Sequence, residues 1–161
     1  MADYDTELML RAGRGEEDAF AELFERHYSR AVNIAYRSLG DRDLAEDIAM
    51  DAFARAYQSR NSFRASAKFS TYLYRVIVNL CINTAKRGRI VRQELFDETT
   101  VGVQGEPDPS EQIQRTETAR TVRDAVLSLP ANQRLALVLT RYEELSYEDA
   151  AEAMGVSVKA V

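Results

Sequence analysis

Apolar residues return at steps of three and four positions through much of this chain, and few helix breakers interrupt them. One such run is formed by Phe20, Leu23, Phe24, Tyr28, Ala31, Ile34, Ala35 and Leu39. This spacing places apolar side chains on one face of an α-helix. The 161 residues include only 7 Gly and 3 Pro, and 45% of them are apolar, as in a globular chain. We therefore predict an all-α fold.

The residues between the apolar runs predict where helices begin and end. Gly40 fits a C-terminal cap, and Asp41 or Asp43 fits the N-cap of the helix that follows. Ser70 fits the N-cap of a later helix, which we expect to end at Gly88. The apolar pattern therefore divides into several separate helices.

The period lapses over residues 93–110, which include the acidic stretch VGVQGEPDPS. Gly, Pro and acidic residues together are typical of a flexible linker. We expect two small helical domains, residues 1–92 and residues 111–161, on either side of this linker.

Several protein classes are disfavoured by composition. One Cys and one His exclude a disulfide scaffold and the common Cys- and His-based metal centres. No apolar run approaches the roughly 20 residues that span a bilayer, and MADYDTELML does not resemble a secretory signal. We expect a cytoplasmic protein with no membrane insertion, no cofactor and no catalytic residues.

The charge is distributed unevenly along the chain. The net charge is -5, yet residues 61–92 contain no acidic residue. The basic residues of this segment are Arg64, Lys68, Arg75, Lys86, Arg87, Arg89 and Arg92. A basic block within an acidic chain indicates binding to a polyanion, although a merely solvated basic face is the alternative.

One face of the helix predicted after Ser70 has the residue types that bind nucleic acid. Tyr72, Arg75, Asn79, Asn83 and Lys86 follow one another at steps of three and four, so they line one side of the helix. An aromatic ring can stack on a base, an Asn amide can bond a base edge, and cations can meet phosphates. Solvated asparagines are the alternative.

The loop before this helix and the residues after it extend the same pattern. Residues 58–69 contain Phe63, Arg64 and Lys68, an aromatic and basic mixture that suits unpaired bases. Arg87 can meet phosphates at the other end of the helix. The alternative for Phe63, Phe69 and Tyr72 is that they belong to the core.

The last residues predict a helix-turn-helix. Ser146 fits an N-cap with Asp149 at the third position, Gly155 permits a tight turn, and Ser157 can cap a second helix. Such a second helix enters the DNA major groove. Only residues 158–161 follow Ser157, so we expect this recognition helix to be incomplete. An ordinary helical hairpin is the alternative.

A third cluster is acidic and lies on the helix after Gly40. Asp43, Glu46, Asp47 and Asp51 are spaced by three and four residues. They could hold a divalent metal, dock on a basic protein or remain solvated. No facing cluster of ligands is evident, so we predict no metal site.

Taken in order, these segments resemble bacterial RNA polymerase sigma factors of the extracytoplasmic-function class, within the sigma-70 family. Residues 43–57, DLAEDIAMDAFARAY, are similar to the family's polymerase-docking helix. Residues 69–83, FSTYLYRVIVNLCIN, resemble its promoter -10 helix, and residues 127–134 and 142–151 resemble its -35 domain. Met50, Asp51 and Tyr72 depart from the residues usual in the family, which are Gln, Glu and Trp.

The resemblance implies a promoter-specificity subunit that works with core RNA polymerase and often with an anti-sigma factor. It implies that Asp43, Glu46, Asp47, Met50 and Asp51 dock on polymerase. It implies contact with the -10 element by Phe63, Arg64, Lys68, Tyr72, Arg75, Asn79, Asn83, Lys86 and Arg87. It also implies -35 contact by Ser157, Val158 and Lys159. The alternatives are an autonomous helix-turn-helix regulator and a metal-dependent hydrolase that uses the acidic helix.

Overall fold

The structure is a computed structural model that describes the backbone of residues 2–95 and 113–161, and the side chains of residues 2–88 and 117–161. It contains helices and no strand within those residues. The helices are α1 (Tyr4–Gly13), α2 (Glu17–Leu39), α3 (Arg42–Gln58), α4 (Phe69–Leu95), α5 (Ile113–Ser128), α6 (Ala131–Leu137) and α7 (Tyr147–Met154). A π-helical turn, Val138–Tyr142, follows α6, and a 3₁₀ turn, Val158–Ala160, follows α7. The predicted all-α fold is confirmed.

The ends of the first three helices follow the local sequence. Asp3 accepts a hydrogen bond from the Thr6 N–H at 2.7 Å, and Asp41 accepts one from the Leu44 N–H at 3.1 Å. These carboxylates satisfy backbone donors that a helix start leaves unpaired. Gly40 ends α2 with φ of 74°, a left-handed conformation that costs glycine little. The predicted caps at Gly40 and Asp41 are confirmed.

Helix α4 differs from the prediction at both ends. It begins at Phe69, whose N–H donates to Thr6 Oγ1 at 3.0 Å, so Ser70 lies inside the helix and does not cap it. It continues through Gly88 to Leu95 and includes the first residues of the predicted linker, 93–95. A glycine inside a helix lowers helix stability by about 1 kcal/mol relative to alanine, which is small compared with the packing of a helix of 27 residues. The rest of the predicted linker, residues 96–110, lies outside the described residues.

Helices α1 to α4 pack around a common apolar centre. Leu8 of α1, Leu23 of α2, and Phe69 and Ile77 of α4 are fully buried, and Phe53 of α3 is 2% exposed. The apolar faces predicted from the spacing of three and four residues are the faces that this core buries. The opposite faces of α3 and α4 remain open to solvent and form the candidate binding surfaces.

Helices α5 to α7 form a second group that rests on the first. Pro130 precedes α6, and Leu135, Val138 and Leu139 are buried in the same apolar cluster as the core of α1 to α4. Ala150 and Ala153 of α7 belong to that cluster as well. Helix α5 is mostly exposed. None of the described helices is both long enough and apolar enough to cross a membrane.

Candidate nucleic-acid and polymerase interfaces

A stripe of exposed polar and basic side chains runs along α4. Arg75, Asn79, Asn83 and Lys86 are all exposed, and Arg87 lies beside them. The opposite side of the helix is buried through residues such as Leu73 and Ile77, which are 0% exposed. The helix is therefore held by its apolar face, and its basic face is available. We call Arg75, Asn79, Asn83, Lys86 and Arg87 the α4 stripe.

The cations of the α4 stripe form no salt bridge with any acidic side chain that the structure describes. None of the cations at positions 64, 68, 75, 86 and 87 forms a salt bridge with a carboxylate of the described side chains. Arginines elsewhere do so, namely Arg11, Arg26, Arg30, Arg37, Arg42 and Arg55. A surface that carries positive charges without interspersed negative ones produces a positive electrostatic potential, which attracts polyanions.

The loop that precedes α4 is held by an aromatic cluster. The ring centroid of Phe63 lies 6.3 Å from that of buried Phe69 and 5.7 Å from that of Tyr72. The hydroxyls of Tyr72 and Ser59 are hydrogen bonded at 2.6 Å. Phe63 and Tyr72 are half-buried and pack against the core. Arg64 and Lys68 are exposed on the same loop.

Residues outside the predicted binding surfaces fix the start of α4. Thr6 of α1 is buried and accepts the Phe69 N–H. His27 is buried, lies edge-on to Phe69 and has its Nε2 2.9 Å from Asp5 Oδ2. These contacts join α1 and α2 to the loop end of the α4 stripe. No local pattern in the sequence could have revealed them, because the partners are far apart along the chain.

The acidic face of α3 is also open. Asp43, Asp47 and Asp51 are exposed, and Glu46 is half-exposed. Arg42 pairs with Glu46 at 3.4 Å and Arg55 pairs with Asp51 at 3.2 Å along the same helix. Met50 lies among these carboxylates and is 51% exposed. An exposed apolar side chain inside an acidic face is a combination that suits docking on a basic protein surface.

The end of the chain has the geometry of a helix, a turn and the start of another helix. Ser146 accepts from the Asp149 N–H at 3.0 Å, as the sequence predicted, and Gly155 makes the turn with φ of 67°. Ser157 makes no capping side-chain hydrogen bond, and a 3₁₀ turn over Val158–Ala160 stands where a second helix was expected. Ser157, Val158 and Lys159 are exposed.

Two residues organise the second group of helices and were not predicted. Arg134 donates to the carbonyls of Val126, Leu127 and Leu129 at 3.2, 2.7 and 2.8 Å, and also to the Ser38 carbonyl of α2. Glu143 is 7% exposed although it is charged. Arg134 and Glu143 lie in the two segments that resemble the -35 domain, and that resemblance was the only feature of the sequence that could have pointed to them.

The described residues supply no arrangement for metal or thiol chemistry. They contain no group of three side chains that could hold a metal ion. Burial raises the pKa of the Cys81 thiol to about 12, so this thiol is not activated as a nucleophile.

Two stretches of the chain match known families. Residues 23–90 match Sigma-70 region 2, and residues 119–161 match Sigma-70, region 4. The α4 stripe and the acidic face of α3 both fall in the first match. The turn at Gly155 falls in the second.

Curated relatives and solved structures agree with these matches. The ECF RNA polymerase sigma factor SigW of Bacillus subtilis is 31% identical, over 92% of this chain and 83% of that protein. The ECF RNA polymerase sigma-E factor of Haemophilus influenzae is 32% identical, over 98% of this chain and 87% of that protein.

Among solved structures, CnrH in complex with the cytosolic domain of CnrY matches with a TM-score of 0.69 and 27% identity, over 98% of this chain and 87% of that one. The sigma factor RpoE of Bartonella quintana, in complex with the anti-sigma factor NepR, has the same fold. It matches with a TM-score of 0.61 and 22% identity, over 87% of this chain and 85% of that one. The described geometry and these similarities lead to one conclusion: the chain belongs to the extracytoplasmic-function class of the sigma-70 family of RNA polymerase sigma factors.

Proposed function

We propose that the α4 stripe and the loop before it bind and read the promoter -10 element when this sigma factor directs core RNA polymerase to a promoter. The observation that carries the proposal is the alignment on one exposed helix face of two asparagines and of cations that pair with no described carboxylate. Phosphate contacts position a protein on DNA, whereas contacts to base edges specify the sequence. The stripe contains both kinds of side chain within a few helical turns.

The loop suits a base that has left the helical stack. Phe63 and Tyr72 are aromatic and only partly buried, and Arg64 and Lys68 are exposed on the same loop, where they could meet phosphates. Extruding a base costs a few kcal/mol, and the cost is lowest where the duplex is already open. Capture of such a base would stabilise promoter melting and read sequence in one step.

We infer that the acidic face of α3 docks on core RNA polymerase. Asp43, Asp47 and Asp51 would meet a basic surface, and the exposed Met50 would be buried at the centre of the contact. A desolvated apolar residue inside a charged ring is a common form of interface hot spot. Since polymerase supplies the chemistry, the chain itself catalyses no reaction, and it works in the cytoplasm.

The end of the chain would contact the -35 element through Ser157, Val158 and Lys159. Their exposure leaves them free to approach the major groove beyond the turn at Gly155. We also propose an anti-sigma partner, because the two structural neighbours named above are bound to such proteins or to a cytosolic domain.

The alternatives explain less of the chain. The hypothesis of an autonomous helix-turn-helix regulator does not explain why residues 23–90 match Sigma-70 region 2. A metal-dependent hydrolase would need a cluster of metal ligands, and the described residues contain none.

The test is binding of the reconstituted holoenzyme to pre-melted promoter forks in which each -10 base is varied in turn. Asn79→Ala is expected to remove about 1–3 kcal/mol of discrimination at one position, the range for a lost base-edge contact. Asn33→Ala, an exposed asparagine on α2, is the matched control and should leave discrimination unchanged. If Asn79→Ala lowers affinity evenly for every base, then Asn79 only positions the strand and the base-reading proposal is wrong.

A further inference from the structure

Helix α1 contacts the chain at both ends of the loop between α3 and α4. We call this loop, residues 59–68, the recognition loop. Where the loop ends, Thr6 Oγ1 accepts the Phe69 N–H at 3.0 Å. Where it begins, Gly13 lies so close to Arg60 that a Cβ placed on Gly13 would be 2.6 Å from the Arg60 carbonyl oxygen. One helix of ten residues therefore meets the start and the end of the recognition loop.

The contact at Gly13 constrains the start of the recognition loop. The neighbour of Gly13 is a backbone carbonyl and not the end of a flexible side chain, so a side chain at this position would have to move the backbone. That backbone belongs to a hydrogen-bonded turn, in which the Arg60 N–H donates to the Tyr57 carbonyl at 3.2 Å and the Ser62 N–H donates to the Ser59 carbonyl at 3.0 Å. A displacement at Arg60 would therefore be passed on to the rest of the turn.

The contact at Thr6 constrains the end of the recognition loop. Thr6 is 2% exposed and Phe69 is 0% exposed, so their hydrogen bond is shielded from water. The first N–H groups of a helix have no acceptor within the helix. Without the Thr6 hydroxyl, the Phe69 N–H would be buried and unpaired, which is costly. The residue after the recognition loop is thus held in place by a side chain 63 positions away.

Helix α1 is itself fixed on the rest of the domain. Leu8 and Met9 are 0% exposed in the core. The Asp5 carboxylate lies 2.7 Å from Arg26 Nε and 2.9 Å from His27 Nε2, which joins α1 to α2. Helix α1 precedes residues 23–90, the stretch that matches Sigma-70 region 2. The recognition loop is therefore held from outside the matched stretch, by a helix that cannot shift freely.

Resting on the proposed function, we propose that α1 sets which base the recognition loop accepts, with Thr6 and Gly13 as positioning residues. Phe63, Arg64 and Lys68 lie between the two contacts, so the contacts fix where these side chains stand relative to the α4 stripe. A binding site loses selectivity when its supporting residues leave it about 1 Å too loose. Thr6 is buried, so it acts on the base only through the position of the loop.

The test is binding of the reconstituted holoenzyme to pre-melted promoter forks in which each -10 base is varied in turn. Thr6→Val removes the acceptor and keeps the shape, whereas Thr6→Ser keeps the hydroxyl. Thr6→Val should lower discrimination about five-fold, the low end of the range for one base contact, at one or two positions other than the one that Asn79→Ala affects. Thr6→Ser should restore most of that discrimination. Glu7→Ala, at an exposed position of α1, is the control and should leave discrimination unchanged.

Three results of this binding experiment would overturn the role of α1. They are parental discrimination in Thr6→Val, an equal loss of affinity for every base, and an equal loss of discrimination in Thr6→Val and Thr6→Ser. If Thr6→Val loses helical circular dichroism, Gly13→Ala decides, because it places one methyl group against the Arg60 carbonyl while favouring the helix. Lower discrimination with full helicity in Gly13→Ala supports the proposal, and parental discrimination overturns it.

A second measurement separates this proposal from the proposed function. In the full chain without polymerase or DNA, Thr6→Val should speed hydrogen exchange of the Phe69 amide about ten-fold or more, and Thr6→Ser should not. If these exchange results hold but the parent holoenzyme shows no preference among -10 bases, the proposed function fails and α1 still holds the loop. If Asn79→Ala loses discrimination as expected while Thr6→Val and Gly13→Ala keep the parental base preference, only the role of α1 fails.

Discussion

Replacing Arg134 is expected to loosen the second group of helices while leaving α1 to α4 intact. Its guanidinium donates to three carbonyls at the end of α5 and to the Ser38 carbonyl of α2. The carbonyls at a helix C-terminus have no partner within the helix and carry partial negative charge. The guanidinium of Arg134 therefore caps the C-terminal end of α5 and links α5 to α2.

The size of the effect follows from these four bonds. A hydrogen bond from a charged donor contributes about 1.5–3 kcal/mol net. The side chain is only half-buried, so water would replace part of this interaction after Arg134→Ala. We expect a loss of about 2–4 kcal/mol, which is a large share of the stability of a small helical unit. Arg134→Lys should recover less than half, because an ammonium group cannot match the fork of a guanidinium.

The assay is amide hydrogen exchange of the full chain, with urea unfolding followed by circular dichroism. Exchange in α6 and the π-helical turn should rise about 30-fold or more in Arg134→Ala, while the amides of α2 near Leu23 keep their protection. Arg120→Ala, an exposed arginine on α5, is the control and should stay within about 0.5 kcal/mol of the parent. The reasoning is refuted if Arg134→Ala behaves like Arg120→Ala, or if Arg134→Lys equals the parent.

Four further predictions concern Asp47, Arg87, Cys81 and Asp3. Asp47→Lys should weaken binding to core polymerase in a pull-down while leaving the melting temperature nearly unchanged. Glu25→Lys, at an exposed position of α2, should change neither polymerase binding nor the melting temperature. Arg87→Ala should lower affinity for all promoter forks alike and reduce the slope of binding against salt by about one ion. Cys81, 1% exposed and with a pKa raised to about 12 by burial, should resist alkylation at pH 8 until urea unfolds the chain. Burial tends to raise the pKa of Asp3, but hydrogen bonds from Thr6 lower it overall. Asp3→Ala should therefore cost about 1 kcal/mol of unfolding free energy at neutral pH. In urea titrations this loss should shrink as the pH falls through the lowered pKa of Asp3.

The helices and their caps could be predicted because they depend on neighbours along the chain. The step of three and four residues locates the buried face of α2 from Phe20 to Leu39, and Gly40 and Asp41 mark the boundary after it. The exposed faces of α3 and α4 follow from the same periodicity, since a residue that is not on the apolar side must face solvent or a partner. The candidate surfaces could therefore be predicted from the sequence without the structure.

Local reasoning failed where a distant residue decides the outcome. The sequence predicts Ser70 as an N-cap, but Thr6 accepts the Phe69 N–H and the helix begins at Phe69, so that Ser70 lies inside it. Gly88 looks like a break, but the packed length of α4 outweighs the cost of one glycine. Propensities are weak compared with the contacts that a folded chain supplies.

The sequence by itself determined the helical class, the acid-free basic segment and the two faces that carry the proposed contacts. Only the tertiary structure decided that Glu143 is buried between Arg30 and Arg37 and that the turn at Gly155 meets Arg75. Periodicity records which side of a helix is apolar, but it holds no information on which helix will cover that side. The pairing of Glu143 with arginines more than 100 positions away arises only when two preformed groups of helices pack together, because a charge selects its partner by proximity in space.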